Sequence, residues 1–387
     1  MRVEHQIRAF KQVFEHYDGK LPLHRFLFNY FKQNKQMGSS DRRWATRYIY
    51  SFFRLGRALI DLPQITRLAI ADFLCSDSLS LVIESELPHL KDHITNPTQD
   101  KIGLIGKHFP TFRLSDVFPF EERLSGDIDN GSFYSSFFTQ PDLFIRVDAD
   151  YLTQLIEQLR AEKVDVTQIS PTTLALPNGT KLEKILPDQK YYQVQDLSSQ
   201  ATGRFFEPQK WDYWWDCCAA SGGKSLLLHS LEPTVQLLVS DVRENSLQNL
   251  EERFQSTGLK KYQKKVLDLL QNNDQDLHHY EFDGIILDAP CTGSGTWGRT
   301  PEMLYHFDPI KVSYFSKLQK AIAANVVKYL KEGKPLVYIT CSVFSAENEE
   351  VVEWLENELP LKLDRMEVIK GYHNKADTMF AARLIKR

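Results

Sequence analysis

Two thiols stand where apolar runs stop. Residues 282–298 read FDGIILDAPCTGSGTWG, in which the run from Gly284 to Leu287 gives way to Asp288, Ala289, Pro290 and Cys291. Residues 338–342 read YITCS, another apolar run ending at a cysteine, Cys341. A thiol can act as a nucleophile, and a carboxylate beside it can handle protons. A lone cysteine is more often a small buried hydrophobe. Two cysteines, each just past the end of a strand-like run, favour chemistry over packing. Gly293, Gly295 and Gly298 let the intervening backbone turn and come close to a ligand.

A second stretch could hold the partner of that chemistry. Trp215 to Lys224 reads WDCCAASGGK, a strand-like end, a loop of small residues and the start of a helix. Such a loop lays a cofactor against backbone amides. A triphosphate loop would need a glycine five residues before Gly223, and Cys218 stands there. Asp241 ends the next apolar run at a distance suited to ribose hydroxyls, and Asp268 ends the one after. Alone, Asp268 reads as a helix cap. Cys217 and Cys218 are adjacent and no paired histidines complete a ligand set, so no metal site is expected.

These residues need strands to carry them. From Tyr191 onward, apolar runs alternate with helical patterns. Strands are expected at Tyr213–Asp216, Val235–Asp241, Lys264–Asp268, Gly284–Asp288, Pro335–Thr340, Glu367–Lys370 and Met379–Leu384. Helices are expected at Gly222–Leu231, Arg243–Thr257, Pro309–Leu330 and Glu347–Leu359. The alternation predicts an α/β fold, a Rossmann-like, doubly wound and largely parallel sheet. The carboxyl ends of its strands would share one edge, gathering Asp241, Asp268, Asp288, Cys291 and Cys341 into one crevice. Residues 129–190 predict a small α/β connecting domain, a β-α-β unit with strands at Leu143–Val147 and Thr173–Leu176 around a helix over Asp150–Glu162. Residues 1–128 predict an all-α domain, with Asp41 capping a helix that runs past Trp44 and Phe52.

A chain of 387 residues with 25% charged and 42% hydrophobic residues is globular and holds more than one domain. No apolar run has membrane-spanning length, and the N-terminal stretch lacks the apolar core of a secretory signal. An odd number of cysteines without framework spacing fits a reducing, cytoplasmic setting. Residues 1–60 hold 12 Lys or Arg against 4 Asp or Glu, although the whole chain is at −4, so a basic surface facing a polyanion is one reading and solvated helix charges another.

The loops named above resemble those of the cytosine-5 RNA methyltransferases of the RsmB/NOP2/Sun group. Asp216 to Lys224 is similar to the family's Asp-x-Cys-Ala-Ala-Pro-Gly-Gly-Lys, with Ser221 in place of proline. Asp288 to Gly295 is similar to Asp-Ala-Pro-Cys-Ser-Gly-x-Gly, with Thr292 in place of serine. Thr340 to Ser342 is similar to its Thr-Cys-Ser, with Asn348-Glu349 downstream. Gln195 to Gln200 resembles its lead-in helix and Phe380 to Leu384 its last strand.

The resemblance implies S-adenosyl-L-methionine as cofactor. Cys218, Ala219, Ala220, Ser221, Gly222, Gly223 and Lys224 would wrap it. Asp241 would hold its ribose, Asp268 its adenine amino group, and Asp288 would line the pocket. Cys341 would be the nucleophile on cytosine carbon 6, Asp288 would bond ring nitrogen 3, and Cys291 would aid proton loss and release. The resemblance implies an RNA partner, ribosomal RNA first and transfer RNA second, reached by residues 1–128 as a NusB-like domain, with residues 191–387 as the methyltransferase domain and a monomer as the working form. Two other readings stand beside it. One is a non-catalytic RNA-binding or ribosome assembly factor of the same fold. The other is a methyltransferase acting on a small molecule or a protein, against which the large N-terminal region weighs.

Overall fold

The computed structural model describes residues 3–120 and 122–387; Met1, Arg2 and Glu121, the first two in the basic N-terminal stretch, lie outside the described residues. The chain divides into two compact units. One comprises Met1–Glu121, Asp129–Gln140 and Thr296–Asp308; the other comprises Glu122–Ile128, Pro141–Gly295 and Pro309–Arg387.

The first unit is helical, with main helices at Val3–His16, Leu23–Gln33, Ser39–Arg54, Gln64–Cys75 and Thr98–His108. Its aromatics are core. Phe52 packs on Phe10 and Phe14 with ring centroids 5.4 and 5.1 Å away. Asp41 does not cap its helix: Gly38 holds the cap position, and Asp41 lies in the first turn, where its charge suits the helix dipole. Buried Arg54 donates to Phe137 O at 2.7 Å, to Gln140 Oε1 at 2.7 Å and to Gly298 O at 2.8 Å. One guanidinium, whose burial demands such partners, thereby joins three segments of this unit.

The second unit holds two sheets. The smaller is built from β1 (Leu143–Val147), β2 (Thr167–Ser170), β3 (Thr173–Leu176) and β4 (Tyr192–Val194), in the order β2-β3-β1-β4 with every pair antiparallel. The expected β-α-β unit is therefore a four-stranded antiparallel sheet in which β1 lies between β3 and β4. Leu155 and Leu159 of the helix Leu152–Ala161 pack into its core as the periodicity predicts. β2 escaped notice because three of its four residues are exposed and none is strongly apolar except Ile169.

The larger sheet has seven strands: β5 (Tyr213–Asp216), β6 (Gln236–Asp241), β7 (Gln263–Val266), β8 (Gly284–Asp288), β9 (Pro335–Thr340), β10 (Leu361–Ile369) and β11 (Met379–Lys386). Their order is β10-β11-β9-β8-β5-β6-β7. β9, β8, β5, β6 and β7 run parallel, and β11 is antiparallel to both β9 and β10. This is the expected Rossmann-like, doubly wound sheet. The chain builds outward from β5 through β6 to β7, then crosses back to place β8 on the other side of β5. That reversal opens a crevice beyond the carboxyl ends of β5 and β8, where folds of this kind take their ligands. All six residues of β9 are buried, as are the first four of β8, so both strands read as continuous apolar runs. No helix among the described residues is long and apolar enough to cross a membrane.

Candidate active site

The loop after β5 is held by β6. Trp215 Nε1 donates to Ser240 Oγ at 2.9 Å, Ser240 Oγ donates to Cys217 O at 3.1 Å, and Ala219 N donates to Ser240 O at 2.9 Å. Gly222 ends the loop with φ at +79°, and a Cβ there would lie 2.5 Å from a Phe254 ring carbon. A side chain at this position is excluded twice, by backbone conformation and by space. The helix Gly223–Leu231 starts immediately after it. Ser221, the departure from the resembled pattern, accepts from Arg253 Nη1 at 3.4 Å through its Oγ. Cys217 points inward and donates to Ile286 O at 3.2 Å, and burial pushes its thiol up, so it is a packed group.

Asp241 ends β6. Because Asp216 pairs with Val239, the parallel register brings Asp241 level with Cys218. Its Oδ2 accepts from Ala220 N at 3.0 Å, and its Oδ1 from Arg243 N at 2.9 Å and Arg243 Nε at 3.2 Å. Asp268 differs from expectation. β7 stops at Val266, and Asp268 lies in the turn beyond, exposed, with Oδ1 accepting from Leu270 N at 3.0 Å. The strand ends early because Lys264 and Lys265 give it little to bury, while Asp268 makes a local turn of its own.

Asp216, at the end of β5, is buried, and its Oδ2 accepts from Ser225 Oγ at 2.6 Å. Burial pushes its carboxyl up to about 7. An acid raised in the fold stabilises it fully below the unfolded value near 4 and loses that contribution as pH rises through the folded value. We therefore expect the melting temperature to fall between about pH 4 and 7, and to fall less in Asp216→Asn. The difference is at most about 4 kcal/mol, as three pKa units convert at roughly 1.4 kcal/mol each. Calorimetry across that range checks it; parallel pH profiles for the two proteins would contradict it.

The two thiols meet at the neighbouring strand ends. Ala289 N donates to Ile339 O at 2.8 Å, which joins the ends of β8 and β9. Beyond that bond, Cys291 Sγ and Cys341 Sγ lie 3.3 Å apart, both partly accessible and both reduced. The contact with Cys341, burial and the Glu347 charge together push the Cys291 thiol well up. Asp288 lies at the tip of β8 with its side chain about a third exposed, and Lys224 Nζ reaches it at 3.0 Å from a buried position. Lys224 thus ties the first loop to the thiol loop across 64 residues.

Around the sulfurs the two loops are laced together. Gly295 N donates to Cys341 O at 2.8 Å, Thr378 N donates to Gly295 O at 2.9 Å, and Val343 N donates to Ser294 Oγ at 2.9 Å. Thr292 N and Thr292 Oγ donate to the two oxygens of Glu347 at 2.9 and 2.6 Å. Asn348 accepts from Thr340 Oγ at 2.6 Å and donates to Ser342 O at 3.0 Å. Glu347 is a site residue that the sequence did not single out. Its signal was its place six residues after Cys341, within a run of acids that reads as solvent-facing. Gly295 leaves no room for a side chain: a Cβ would lie 1.9 Å from Thr378 O. Gly295→Ala should cost at least about 2 kcal/mol, since backbone has to move to relieve the overlap. A urea titration that matches the unsubstituted protein would contradict this.

With this geometry in place, comparison with known proteins points to the same family as the motifs. A family model described as 16S rRNA methyltransferase RsmB/F matches residues 204–385. Residues 204–385 are an RsmB/F methyltransferase domain. The RsmB/F match takes in the β5 loop, Asp241, Asp288 and both paired cysteines, and bears out the resemblance read from the motifs. Ribosomal RNA small subunit methyltransferase B of Shewanella oneidensis is 30% identical over 205 residues, 50% of this chain and 47% of that protein. Its probable counterpart in Bacillus subtilis is 28% identical over 210 residues, 54% of this chain and 47% of that protein. The matched region spans about half the length of these curated relatives. Among solved structures, NSun6 from Pyrococcus horikoshii with SFG superposes with a TM-score of 0.60 at 19% identity, over 68% of this chain and 95% of that one. PH0851 superposes with a TM-score of 0.71 at 20% identity, over 99% and 98%. Likeness at these identities shows a shared fold.

Proposed function

We propose that this protein transfers a methyl group from S-adenosyl-L-methionine to carbon 5 of a cytosine in RNA, ribosomal RNA before transfer RNA. The observation that carries the reading is the pair of sulfurs 3.3 Å apart at the carboxyl edge of the sheet. A non-catalytic assembly factor has no use for two reduced thiols in contact beside a carboxylate. The relatives' names favour ribosomal RNA.

The donor set suits the cofactor. Asp241 is accessible over only 6% of its surface; Oδ1 is taken by Arg243 N and Nε, and Oδ2 keeps a lone pair for a ribose hydroxyl after accepting from Ala220 N. The backbone from Cys218 through Ala219, Ala220, Ser221, Gly222 and Gly223 to Lys224 would wrap it, and Asp268 would meet the adenine amino group with Oδ2. Bound there, S-adenosylmethionine supplies an electrophilic methyl group.

This chain's residues do the rest. The Cys341 thiolate adds to carbon 6, which makes carbon 5 an enamine-like nucleophile and divides one hard step into easier ones. Asp288, held by Lys224, delivers a proton to ring nitrogen 3 as Cys341 adds and takes it back when the adduct breaks. Cys291 holds its proton strongly, so it competes poorly as a nucleophile and, once ionised, is a strong base. With Cys341 bonded to carbon 6 its negative charge is gone, so the Cys291 proton passes to solvent; the Cys291 thiolate then takes the carbon 5 proton, and the bonding pair left behind restores the ring double bond as Cys341 leaves as a thiolate. The cytosine must leave its stack to enter.

In this reading residues 1–128 bind RNA through phosphates, residues 129–190 connect, residues 191–387 catalyse, and a cytoplasmic monomer is the working form. The test is incubation with methyl-labelled S-adenosylmethionine and bulk RNA, followed by digestion to nucleosides. Label in 5-methylcytidine is expected. Label in protein, in another nucleoside or nowhere would overturn the proposal.

A further inference from the structure

Glu347 is fully buried, on the turn Ser345–Glu347 that follows the Cys341 loop. Its Oε1 accepts from Thr292 N at 2.9 Å and from Gln319 Nε2 at 3.1 Å. Its Oε2 accepts from Thr292 Oγ at 2.6 Å and from Ser342 Oγ. Thr292 is the residue after Cys291, and Ser342 is the residue after Cys341. One carboxylate therefore grips the neighbour of each thiol.

A clamp alone does not need a charge. Burying a carboxylate is costly unless its lone pairs are met, and a neutral amide of the same shape would hold the same loops at less cost. Here two N–H groups that can only donate, and two hydroxyls, converge on the two oxygens, which is the pattern an ionised carboxylate requires. Burial pushes Glu347 up while these donors pull it down. A negative charge disfavours ionisation of the thiol nearest it, and three of the four donors tie Glu347 to the Cys291 side: the amide and hydroxyl of Thr292, and Gln319, which also holds the carbonyl of Pro290 just before Cys291. The other groups facing Glu347 do not cancel that effect. Tyr338 of β9 donates its hydroxyl to Glu347 O at 2.6 Å. Gln319 of the helix Ile310–Val326 is neutral and also donates to Pro290 O at 3.0 Å. Glu349, at the start of the next helix, is turned to Ser125 Oγ and Gly126 N. Ser294 and Ser342 complete the shell with hydroxyls. No cation bonds the Glu347 carboxylate in the described contacts; the Lys224 ammonium is engaged by Asp288.

We infer that Glu347 is the positioning residue that decides which of the two thiols keeps its proton. By clamping Thr292 and Ser342 it sets the sulfurs in contact, and by its charge it keeps Cys291 as the S–H donor. When the pair ionises, the proton lost to solvent comes from Cys341, and the Cys291 S–H then donates to the Cys341 thiolate. The division of labour between two chemically identical side chains follows from one buried carboxylate. This deepens the methyltransferase reading and rests on it for its purpose.

The test needs neither RNA nor cofactor. Iodoacetamide alkylation of Cys341 and Cys291 is followed separately by peptide mass spectrometry from pH 6 to 10. In the unsubstituted protein Cys341 should react at least tenfold faster at pH 7.5, with Cys291 catching up only at higher pH. In Glu347→Gln the amide keeps the shape and loses the charge, so the preference should fall towards one. In Glu347→Asp, which keeps the charge, the preference should persist even where stability drops. An unchanged preference in folded Glu347→Gln would overturn the inference. So would equal or reversed reactivity in the unsubstituted protein, which needs no variant to fold. Absence of methyl transfer to RNA with the alkylation pattern intact would defeat the proposed activity and leave this assignment standing.

Discussion

Cys341→Ser is expected to lower methyl transfer to RNA by at least about a thousandfold, because the proposed reaction is routed entirely through that sulfur. Cytosine carbon 5 gains its nucleophilicity only after carbon 6 is attacked, and a serine hydroxyl in this setting has no base aimed at it. At position 341 the sulfur meets the Cys291 sulfur at 3.3 Å, and the backbone carbonyl accepts from Gly295 N at 2.8 Å. Serine keeps the backbone bond and nearly the volume, so melting temperature and cofactor affinity should stay close to those of the unsubstituted protein. Single-turnover transfer with labelled cofactor measures the effect. Activity above about a tenth of the original would mean that another group attacks the base.

Cys291→Ala should have an effect of a different kind. Removing a proton-transfer group typically costs 10²- to 10⁴-fold, here at the step after methylation. Attack by Cys341 and transfer of the methyl are left in place, whereas loss of the carbon 5 proton and breaking of the sulfur–carbon bond stall. Protein bound to RNA should then accumulate in a form that survives denaturing electrophoresis, at up to one RNA per protein. The same substitution removes the thiol that burial and Glu347 push up, so any change in the pH profile of the remaining cysteine reports on their contact. A slow variant with no such complex would take Cys291 out of the release step.

Much of the site is legible in the amino-acid sequence because the strands that carry it are buried on both faces. β5, β8 and β9 run over the same residues in the structure as in the apolar pattern, and the residues at their ends follow directly. The rest is hidden for identifiable reasons. β2 is short, polar and largely exposed, so neither alternation nor an apolar run marks it; β7, expected at Lys264–Asp268, is found at Gln263–Val266, because so exposed a strand leaves its end unmarked. The placement of Asp268 went astray with the end of β7. Glu347 sits in the string AENEE, which reads as a solvated helix start, and its partners Thr292 and Gln319 lie 55 and 28 residues away. The Lys224–Asp288 pair is hidden by the same kind of separation. What sequence alone cannot supply is long-range polar contact, and the proposed division between the two thiols rests on it.

The most direct measurement is the identity of the residue that carries RNA in the trapped complex. Cys291→Ala is incubated with RNA and S-adenosylmethionine, digested with nuclease and protease, and the modified peptide is sequenced by mass spectrometry. The prediction is a single methylated cytidine nucleotide attached to Cys341. A nucleotide on any other residue, or a denatured protein free of nucleotide after stalled turnover, would contradict the account.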